Sequence, residues 1–174
     1  MPSYVVVSGP PGSGKTTLAR QLATELHLPL IAKDTIKQAL MAVIEVPDVA
    51  ASRLVGRASV AVLLAVAEDV GYGVLDSVWH RSRAITDLRR LPGSIVEVFC
   101  SCDRSVAEDR YRTRSGSRAR GHFDDERLST EIWNDEVAAP VGGGWPVLEV
   151  DTNREVDPKT IADAVRQAFP VERA

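Results

Sequence analysis

The chain has few cysteines, and this scarcity argues against two common kinds of stabilising site. Only Cys100 and Cys102 are present, one residue apart. A disulfide between two such close positions would be strained, and two thiols alone do not make a zinc site. We therefore expect both thiols to be reduced, as in a cytoplasmic protein.

Long apolar runs and an excess of positive charge are also missing. The longest apolar run, Val60 to Ala67, has eight residues, whereas a membrane-spanning helix needs roughly 20. The N-terminus lacks a basic region followed by a long apolar segment, so we expect no signal peptide and no membrane partner. The net charge of −3 argues against a surface that binds nucleic acid throughout, but it leaves a local basic patch open. The length of 174 residues favours a single domain over 1–174.

Close to its start the chain contains a glycine-rich stretch that fits the phosphate-binding pattern G-x-x-x-x-G-K-[ST]. Glycines let the backbone turn tightly and bring successive N–H groups to one anion, and the helix that follows adds its positive end. Lys15 can reach the β- and γ-phosphates of a nucleotide, and the Thr16 hydroxyl suits Mg²⁺. The stretch consists of Gly9, Pro10, Pro11, Gly12, Ser13, Gly14, Lys15, Thr16 and Thr17.

The flanking segments support this interpretation over an ordinary Gly/Pro turn. Tyr4 to Val7 has the pattern of a short buried strand. Leu18, Leu22 and Leu26 follow the loop with the spacing of one helix face. A strand, a glycine loop and a helix in this order are what the phosphate-binding loop requires.

Along the whole chain, predicted strands alternate with predicted helices. We predict strands at residues 4–7, 28–32, 74–77, 95–99 and 147–150. We predict helices at about 18–26, 34–43, 81–91, 124–137 and 158–169. Two further helices are predicted to end near 69 and 114, the first opened by Asp48 or Ser52 and the second by Asp103 or Ser105. This alternation is typical of an α/β fold with a parallel sheet covered on both faces, which binds ligands beyond the carboxyl ends of its strands. We expect the alanine-rich stretch 58–67 to be a buried part of its helix.

Two aspartates that follow predicted strands are candidates for chemistry. Asp34 can orient an acceptor hydroxyl and accept its proton during phosphoryl transfer, and the alternative is that it caps a helix. Both roles can coexist. Asp76 can hold Mg²⁺ through water, and the alternative is a strand-end carboxylate in a turn. A third aspartate, Asp151, follows the last strand, and we expect all three to lie at one edge of the sheet with the loop.

Arginines are concentrated late in this acidic chain. Arginine forks match phosphate oxygens and stabilise a transferring phosphoryl group, although a solvated basic face would have the same composition. The five arginines are Arg110, Arg112, Arg114, Arg118 and Arg120. The segment from Ser115 to His122 lacks apolar periodicity, so we expect it to be exposed and mobile. A weaker candidate for the acceptor side is the group that follows Asp76, namely Trp79, His80, Arg81 and Arg83.

Together these residues carry a family resemblance. The strand and glycine loop, then Lys33-Asp34-Thr35-Ile36, then the arginines of 110–120 resemble the small P-loop kinases. Members that look similar include chloramphenicol phosphotransferase, gluconate kinase and the kinase domain of polynucleotide kinase. The resemblance covers about residues 4–169. It implies the nucleoside-monophosphate-kinase-like fold, with a five-stranded parallel sheet flanked by helices and a short Arg-rich lid, which with its adjoining helix would span 110–136. It also implies ATP with Mg²⁺ as the donor.

The resemblance assigns roles to individual positions. The family's loop lysine falls on Lys15, its Mg²⁺-binding hydroxyl on Thr16 and its acceptor-side aspartate on Asp34. Its lid arginines fall near Arg114 and Arg118. The residues Asp151-Thr152-Asn153 resemble the loop that borders the adenine, so Asn153 is a nucleotide-binding candidate together with Arg110.

We therefore predict an ATP-dependent kinase that transfers the γ-phosphoryl group to a hydroxyl of a small molecule. The predicted catalytic residues are Lys15, Asp34, Arg114 and Arg118, and the predicted Mg²⁺ ligands are Thr16 and Asp76. Two alternatives stay open. A nucleic-acid 5′-hydroxyl kinase would need a basic groove, and a nucleotide-binding regulatory ATPase would hydrolyse ATP regardless of acceptor. The sequence specifies neither the acceptor nor the oligomeric state.

Overall fold

The computed structural model describes residues 3–115 and 133–169, and a five-stranded parallel sheet lies at its centre. The strands are β1 (Ser3–Ser8), β2 (Leu30–Ala32), β3 (Tyr72–Asp76), β4 (Ser94–Ser101) and β5 (Val147–Asp151). Their order across the sheet is β2-β3-β1-β4-β5, and every neighbouring pair is parallel. The predicted α/β fold with a five-stranded parallel sheet is confirmed.

Helices cover both faces of the sheet. Those in the described part are α1 (Lys15–Leu26), α2 (Lys33–Met41), α3 (Val49–Val70), α4 (Arg81–Leu88), α5 (Arg104–Ser115) and α6 (Pro158–Ala168). Successive residues of a strand point to opposite faces. Val5 and Val6 are both fully buried, because α1 and α6 pack on the Val5 side and α3 and α4 on the Val6 side.

The helix starts show which capping predictions hold. Asp48 caps α3 by accepting the N–H of Ala51 at 2.7 Å. Asp34, in contrast, does not cap a helix: α2 begins at Lys33, after Ala32, and Asp34 lies inside its first turn. The N-cap interpretation of Asp34 was therefore wrong, because the helix continues directly from the strand and begins one residue earlier than expected.

Only one face of α3 is buried, so the expectation for residues 58–67 was also wrong. The sheet-facing side chains, such as Leu63 and Ala67, are inaccessible, whereas Leu54, Val62 and Val66 are exposed. Within the described residues, α3 is the one helix with the length and apolar composition needed to cross a membrane. That is weak evidence, since a helix of a folded domain can pass the same test. A cytoplasmic location remains a prediction.

Two predictions fall wholly or partly outside the described residues. The predicted helix 124–137 is described only from 133 onward, and there the chain forms bends and turns in place of a helix. Most of the predicted lid, including Arg118 and Arg120, lies in 116–132. The lid and its mobility therefore remain predictions.

Candidate active site

The glycine stretch connects β1 to α1 at the carboxyl edge of the sheet. Gly9, Gly12 and Gly14 have φ angles of 134°, 83° and 86°, a region that favours glycine. A Cβ on Gly12 would lie 2.0 Å from the carbonyl oxygen of Ala107 in α5. A Cβ on Gly9 would lie 2.5 Å from the carbonyl oxygen of Cys100 in β4. The loop is held against its neighbours so closely that these two positions need glycine.

Two polar groups of the loop are buried in a way that fits an anion. The Lys15 side chain is 7% exposed, and its Nζ donates to the carbonyl oxygen of Pro10 at 2.9 Å. Among the described residues, the Ser13 hydroxyl is the one buried side-chain N or O atom without a hydrogen-bond partner. Buried polar groups in native proteins are normally hydrogen-bonded. A phosphate at the N-terminus of α1 would satisfy such a hydroxyl and lie close to the loop N–H groups.

Asp76 lies at the end of β3 beside the loop. It is 4% exposed, and burial raises the pKa of its carboxyl group above the ordinary value. The charge of Lys15 and a hydrogen bond with the Thr16 side chain lower this pKa, but burial has the larger effect. Mg²⁺ prefers oxygen ligands and usually keeps one or two carboxylates, several waters and substrate phosphates. The paired Thr16 hydroxyl and Asp76 carboxylate fit that donor set.

Asp34 follows the neighbouring strand, and the sheet register explains its position. Ala32 of β2 pairs with Asp76 of β3, so Asp34, in the first turn of α2, lies at the same edge of the sheet. Its side chain is 47% exposed, and Oδ1 lies 3.1 Å from Nζ of Lys33. A small molecule at the sheet edge can therefore reach this carboxylate.

A single cavity of about 720 Å³ connects these groups. Lys15, Thr16, Asp34 and Asp76 all line it, with Pro11, Gly12 and Gly14 of the loop. Helices α2, α3 and α4 form most of the remaining wall, together with residues 77–80, residues 90–91 and Tyr111 of α5. Its volume is within the range of small-molecule sites. The structure thus brings together four of the predicted catalytic and metal-binding residues.

The weaker candidates after Asp76 divide into two groups. Trp79, His80 and Arg83 line the cavity, whereas Arg81 does not. Trp79 is also a core residue, since it is 4% exposed and its Nε1 donates to the carbonyl oxygen of Val7 at 3.1 Å. The core interpretation and the acceptor-side interpretation of Trp79 are compatible.

Arg110 contacts the turn after β5, and Asn153 belongs to that turn. Arg110 Nη1 donates to the carbonyl oxygen of Thr152 at 2.9 Å, and Asn153 Oδ1 accepts the N–H of Asp103 at 2.9 Å. Both lie outside the cavity lining. Asp151 is also at the carboxyl edge, but β5 is separated from β3 by two strands. Of Arg114, only the backbone in α5 is described.

Sequence analysis missed several residues at the site. Lys37 lines the cavity, is 2% exposed, and donates from Nζ to Ser52 Oγ at 2.9 Å. Tyr111 also lines it, with its ring edge-on to Trp133 at a centroid distance of 5.2 Å. Trp133 Nε1 donates to the carbonyl oxygen of Pro11 in the loop at 2.9 Å. No local pattern indicates these contacts, because a lysine in a short amphipathic helix is ordinarily solvated.

Comparison with known proteins supports a kinase family. A family model described as AAA domain matches residues 5–139. A crystal structure from Chloroflexus aurantiacus, of a protein provisionally described as a kinase, is similar with a TM-score of 0.86 and 27% identity. It covers 97% of this chain and 99% of its own.

Two further similarities are more limited. A cytidylate kinase of Pyrobaculum neutrophilum is 55% identical over 38 residues, which is 22% of this chain. The match spans only 21% of the length of that relative. The APS kinase CysC of Mycobacterium tuberculosis, solved with AMPPNP and APS, has a TM-score of 0.61 at 19% identity, covering 95% of this chain and 96% of its own. That likeness shows the fold alone.

Proposed function

This chain belongs to the AAA-domain family and has a P-loop kinase fold, and from that premise we propose that it is an ATP-dependent phosphotransferase. It transfers the γ-phosphoryl group of ATP to a hydroxyl of a small molecule. The observation that supports this most directly is the cavity, in which the loop lysine and Asp34 share one space of about 720 Å³. Hydrolysis alone needs no room for a second molecule beside the phosphates.

In this proposal the loop and its neighbours hold the nucleotide. The N–H groups of residues 9–17 and the Lys15 ammonium bind the phosphates. Arg110 and Asn153, at the turn after β5, border the nucleotide. Thr16 and Asp76 hold Mg²⁺, which neutralises charge on the phosphates.

Asp34 acts on the acceptor. Its half-exposed carboxylate accepts a hydrogen bond from the acceptor hydroxyl, orients it and takes its proton as the phosphoryl group is transferred. Asp76 is less suited to that task, because it is buried against Thr16 and Lys15 on the phosphate side. Arg114 and Arg118 stabilise the transferring phosphoryl group. They belong to a lid within 110–136, which is part of the single domain.

An ADP-release screen over alcohols, sugars, nucleosides, aminoglycosides and oligonucleotides tests the proposal. We expect one class of small acceptor to accelerate ADP release, and Lys15→Ala to abolish the acceleration. Release that no acceptor changes would identify a regulatory ATPase, and acceleration by oligonucleotides alone would identify a nucleic-acid 5′-hydroxyl kinase.

A further inference from the structure

We propose that Trp133 is a positioning residue of the glycine loop: it holds the peptide bond between Pro11 and Gly12 so that the Gly12 N–H faces the nucleotide phosphates. The inference rests on the proposed function, since it concerns how the same loop binds ATP. It assigns a role to a side chain 122 residues away from Pro11 in sequence. Three observations support it: the turn formed by residues 10–13, the hydrogen bond from Trp133, and the packing of both against α5.

Residues 10–13 form a β-turn whose central peptide has two possible orientations. The Ser13 N–H donates to the carbonyl oxygen of Pro10 at 3.2 Å, and Gly12 has a φ angle of 83°. With proline second and glycine third, this is the pattern of a type II turn. Proline fixes only its own φ, so the ψ of Pro11 and the φ of Gly12 remain free to rotate together. That rotation gives a type I turn, in which φ of Gly12 would be about −90° and the Pro11 carbonyl would point the opposite way.

The indole of Trp133 selects one of these two orientations. Its Nε1 donates to the carbonyl oxygen of Pro11 at 2.9 Å. A trans peptide is planar, so its C=O and N–H point in opposite directions, and the described residues include no cis peptide bond. Holding the Pro11 carbonyl towards Trp133 therefore holds the Gly12 N–H on the other side. In the flipped turn a carbonyl oxygen would replace that N–H and would repel a phosphate.

Helix α5 fixes both the indole and the turn. The ring of Tyr111 meets that of Trp133 edge-on, with centroids 5.2 Å apart and planes at 79°, which is a favoured aromatic geometry. Ala107 lies one helical turn before Tyr111, on the same face of α5, and its carbonyl oxygen limits the space at Gly12. Because α5 holds the indole, the N–H that orients the Pro11 carbonyl is in place before nucleotide binds, and less ordering is needed on binding.

A binding experiment tests this role without requiring an acceptor. Calorimetry measures the affinity of the full chain for AMP-PNP in the presence of Mg²⁺. Trp133→Phe keeps an aromatic ring next to Tyr111 but removes the N–H. Trp145→Phe is the matched control, because Trp145 Nε1 also donates over 2.9 Å, to Glu97 Oε2, and Trp145 lies outside the cavity lining. Both tryptophans are only partly buried, so we expect both variants to fold.

Only one of the two variants should lose affinity. Trp133→Phe should weaken AMP-PNP binding about 2- to 10-fold, the range for one lost hydrogen bond, because a fraction of the molecules then has a flipped turn. Trp145→Phe should lower the melting temperature and leave the affinity unchanged. Equal affinities in wild type and Trp133→Phe, or equal losses in the two variants, would overturn the inference.

NMR provides a second readout, since the chain has three tryptophans and each gives an indole N–H signal. The signals of Trp133 and Trp145 are those missing from the respective phenylalanine variants. A phosphate that accepts from the Gly12 N–H polarises the peptide and strengthens the hydrogen bond at its carbonyl. The Trp133 signal should therefore move as Mg²⁺ and AMP-PNP saturate the wild type, and the Trp145 signal should stay. A Trp133 signal that does not move at saturation would contradict the proposal.

Activity separates this inference from the proposed transfer. With an acceptor that accelerates ADP release, Trp133→Phe should raise KM for ATP about 2- to 10-fold at unchanged KM for the acceptor. Weaker AMP-PNP binding in Trp133→Phe, but no acceptor that accelerates ADP release, would support the inference and contradict the transfer. Acceptor-dependent ADP release with wild-type KM for ATP in Trp133→Phe would leave the transfer standing and overturn the inference. No AMP-PNP binding by wild type would overturn both.

Discussion

Asp34 and Asp76 follow neighbouring strands, but their surroundings give them different chemistry. Asp76 is 4% exposed beside Thr16 and Lys15. Asp34 is 47% exposed and pairs with Lys33 at 3.1 Å. At the scale of single residues, one carboxylate is suited to hold a metal ion among buried groups, and the other is accessible to a substrate.

Replacing Asp76 by asparagine should stabilise the ligand-free protein at neutral pH and abolish Mg²⁺-dependent ATP binding. Because burial raises the pKa of Asp76 in the folded state, the folded state binds this proton more tightly than the unfolded state. The stability that protonation contributes is present below the unfolded pKa and is lost as the pH rises through the folded pKa. The melting temperature of Asp76→Asn should therefore exceed that of wild type at pH 7, and the difference should shrink in acid.

Calorimetry across this pH range, with and without Mg²⁺ and ATP, checks both parts of that prediction. A lower melting temperature for Asp76→Asn at every pH would show that the carboxylate stabilises the fold. It would then contradict the expectation that the buried charge of Asp76 destabilises the ligand-free fold.

Replacing Asp34 by asparagine should lower kcat by about 10²- to 10⁴-fold, the usual contribution of a general base. The melting temperature should change little, since Asp34 caps no helix and its exposed ion pair is worth at most about 1 kcal/mol. ATP affinity should also be retained. Steady-state kinetics and thermal melting measure these effects. A fully active Asp34→Asn enzyme would exclude Asp34 as the base and make Asp76 the next candidate.

At the scale of elements, the position of the glycine loop depends on α5. Gly12→Ala should destabilise the fold and abolish ATP binding, because its Cβ would overlap Ala107. Gly71→Ala is a matched control: the φ angles are 83° and 82°, but nothing lies within 4 Å of a Cβ at Gly71. Gly71→Ala should lower the free energy of unfolding by only about 1–2 kcal/mol, the cost of left-handed backbone strain. Its ATP affinity should be unchanged. Equal losses in both variants, measured by denaturation and calorimetry, would mean that α5 does not constrain the loop.

A buried carboxylate on β4 anchors the chain before β5. Glu97 is fully buried and accepts hydrogen bonds from the Ser8 hydroxyl, the N–H groups of Val141 and Gly142, and Trp145 Nε1, at 2.6–3.0 Å. It thereby connects β1, β4 and the segment 141–145. A buried polar group thus joins these elements in addition to their apolar packing.

Glu97→Gln should destabilise the fold by about 1–3 kcal/mol, since an amide nitrogen would face donors and leave a buried group unsatisfied. Glu149→Gln, at an exposed position on β5, is the control and should stay within about 0.5 kcal/mol of wild type. Urea denaturation of both variants provides the comparison. A loss in Glu97→Gln no larger than in the control would show that these hydrogen bonds contribute no net stability.

At the scale of the whole molecule, the fold places the glycine loop, Asp76 and Asp34 on the lining of one cavity. Because β1 lies next to β3, and β3 next to β2, the glycine loop, Asp76 and Asp34 follow three adjacent strands. The loop is supported from the other side by α5 and β4. The arrangement leaves much of the remaining wall to α2, α3 and α4, which is where we propose that the acceptor binds.

Local patterns were sufficient to predict the five strands and the glycine loop between β1 and α1. Long-range contacts were not predictable in this way. Glu97 has the alternation of an ordinary strand residue, yet its partners Val141 and Trp145 lie 44 and 48 residues away. Lys37 is buried only because α3 brings Ser52 onto α2. The exposed face of α3 was missed because its apolar run extends around the helix, so periodicity does not indicate which side meets the sheet.

Following the phosphoryl group itself tests the proposed transfer most directly. With γ-labelled ATP, Mg²⁺ and a small hydroxyl acceptor that accelerates ADP release, the label should appear in a phosphate ester of the acceptor, one for each ADP released. Lys15→Ala should form neither product, because the phosphates lose a charged partner worth about 1.5–3 kcal/mol. Label that appears only as inorganic phosphate, at a rate that no acceptor changes, would contradict phosphoryl transfer as the function of this protein.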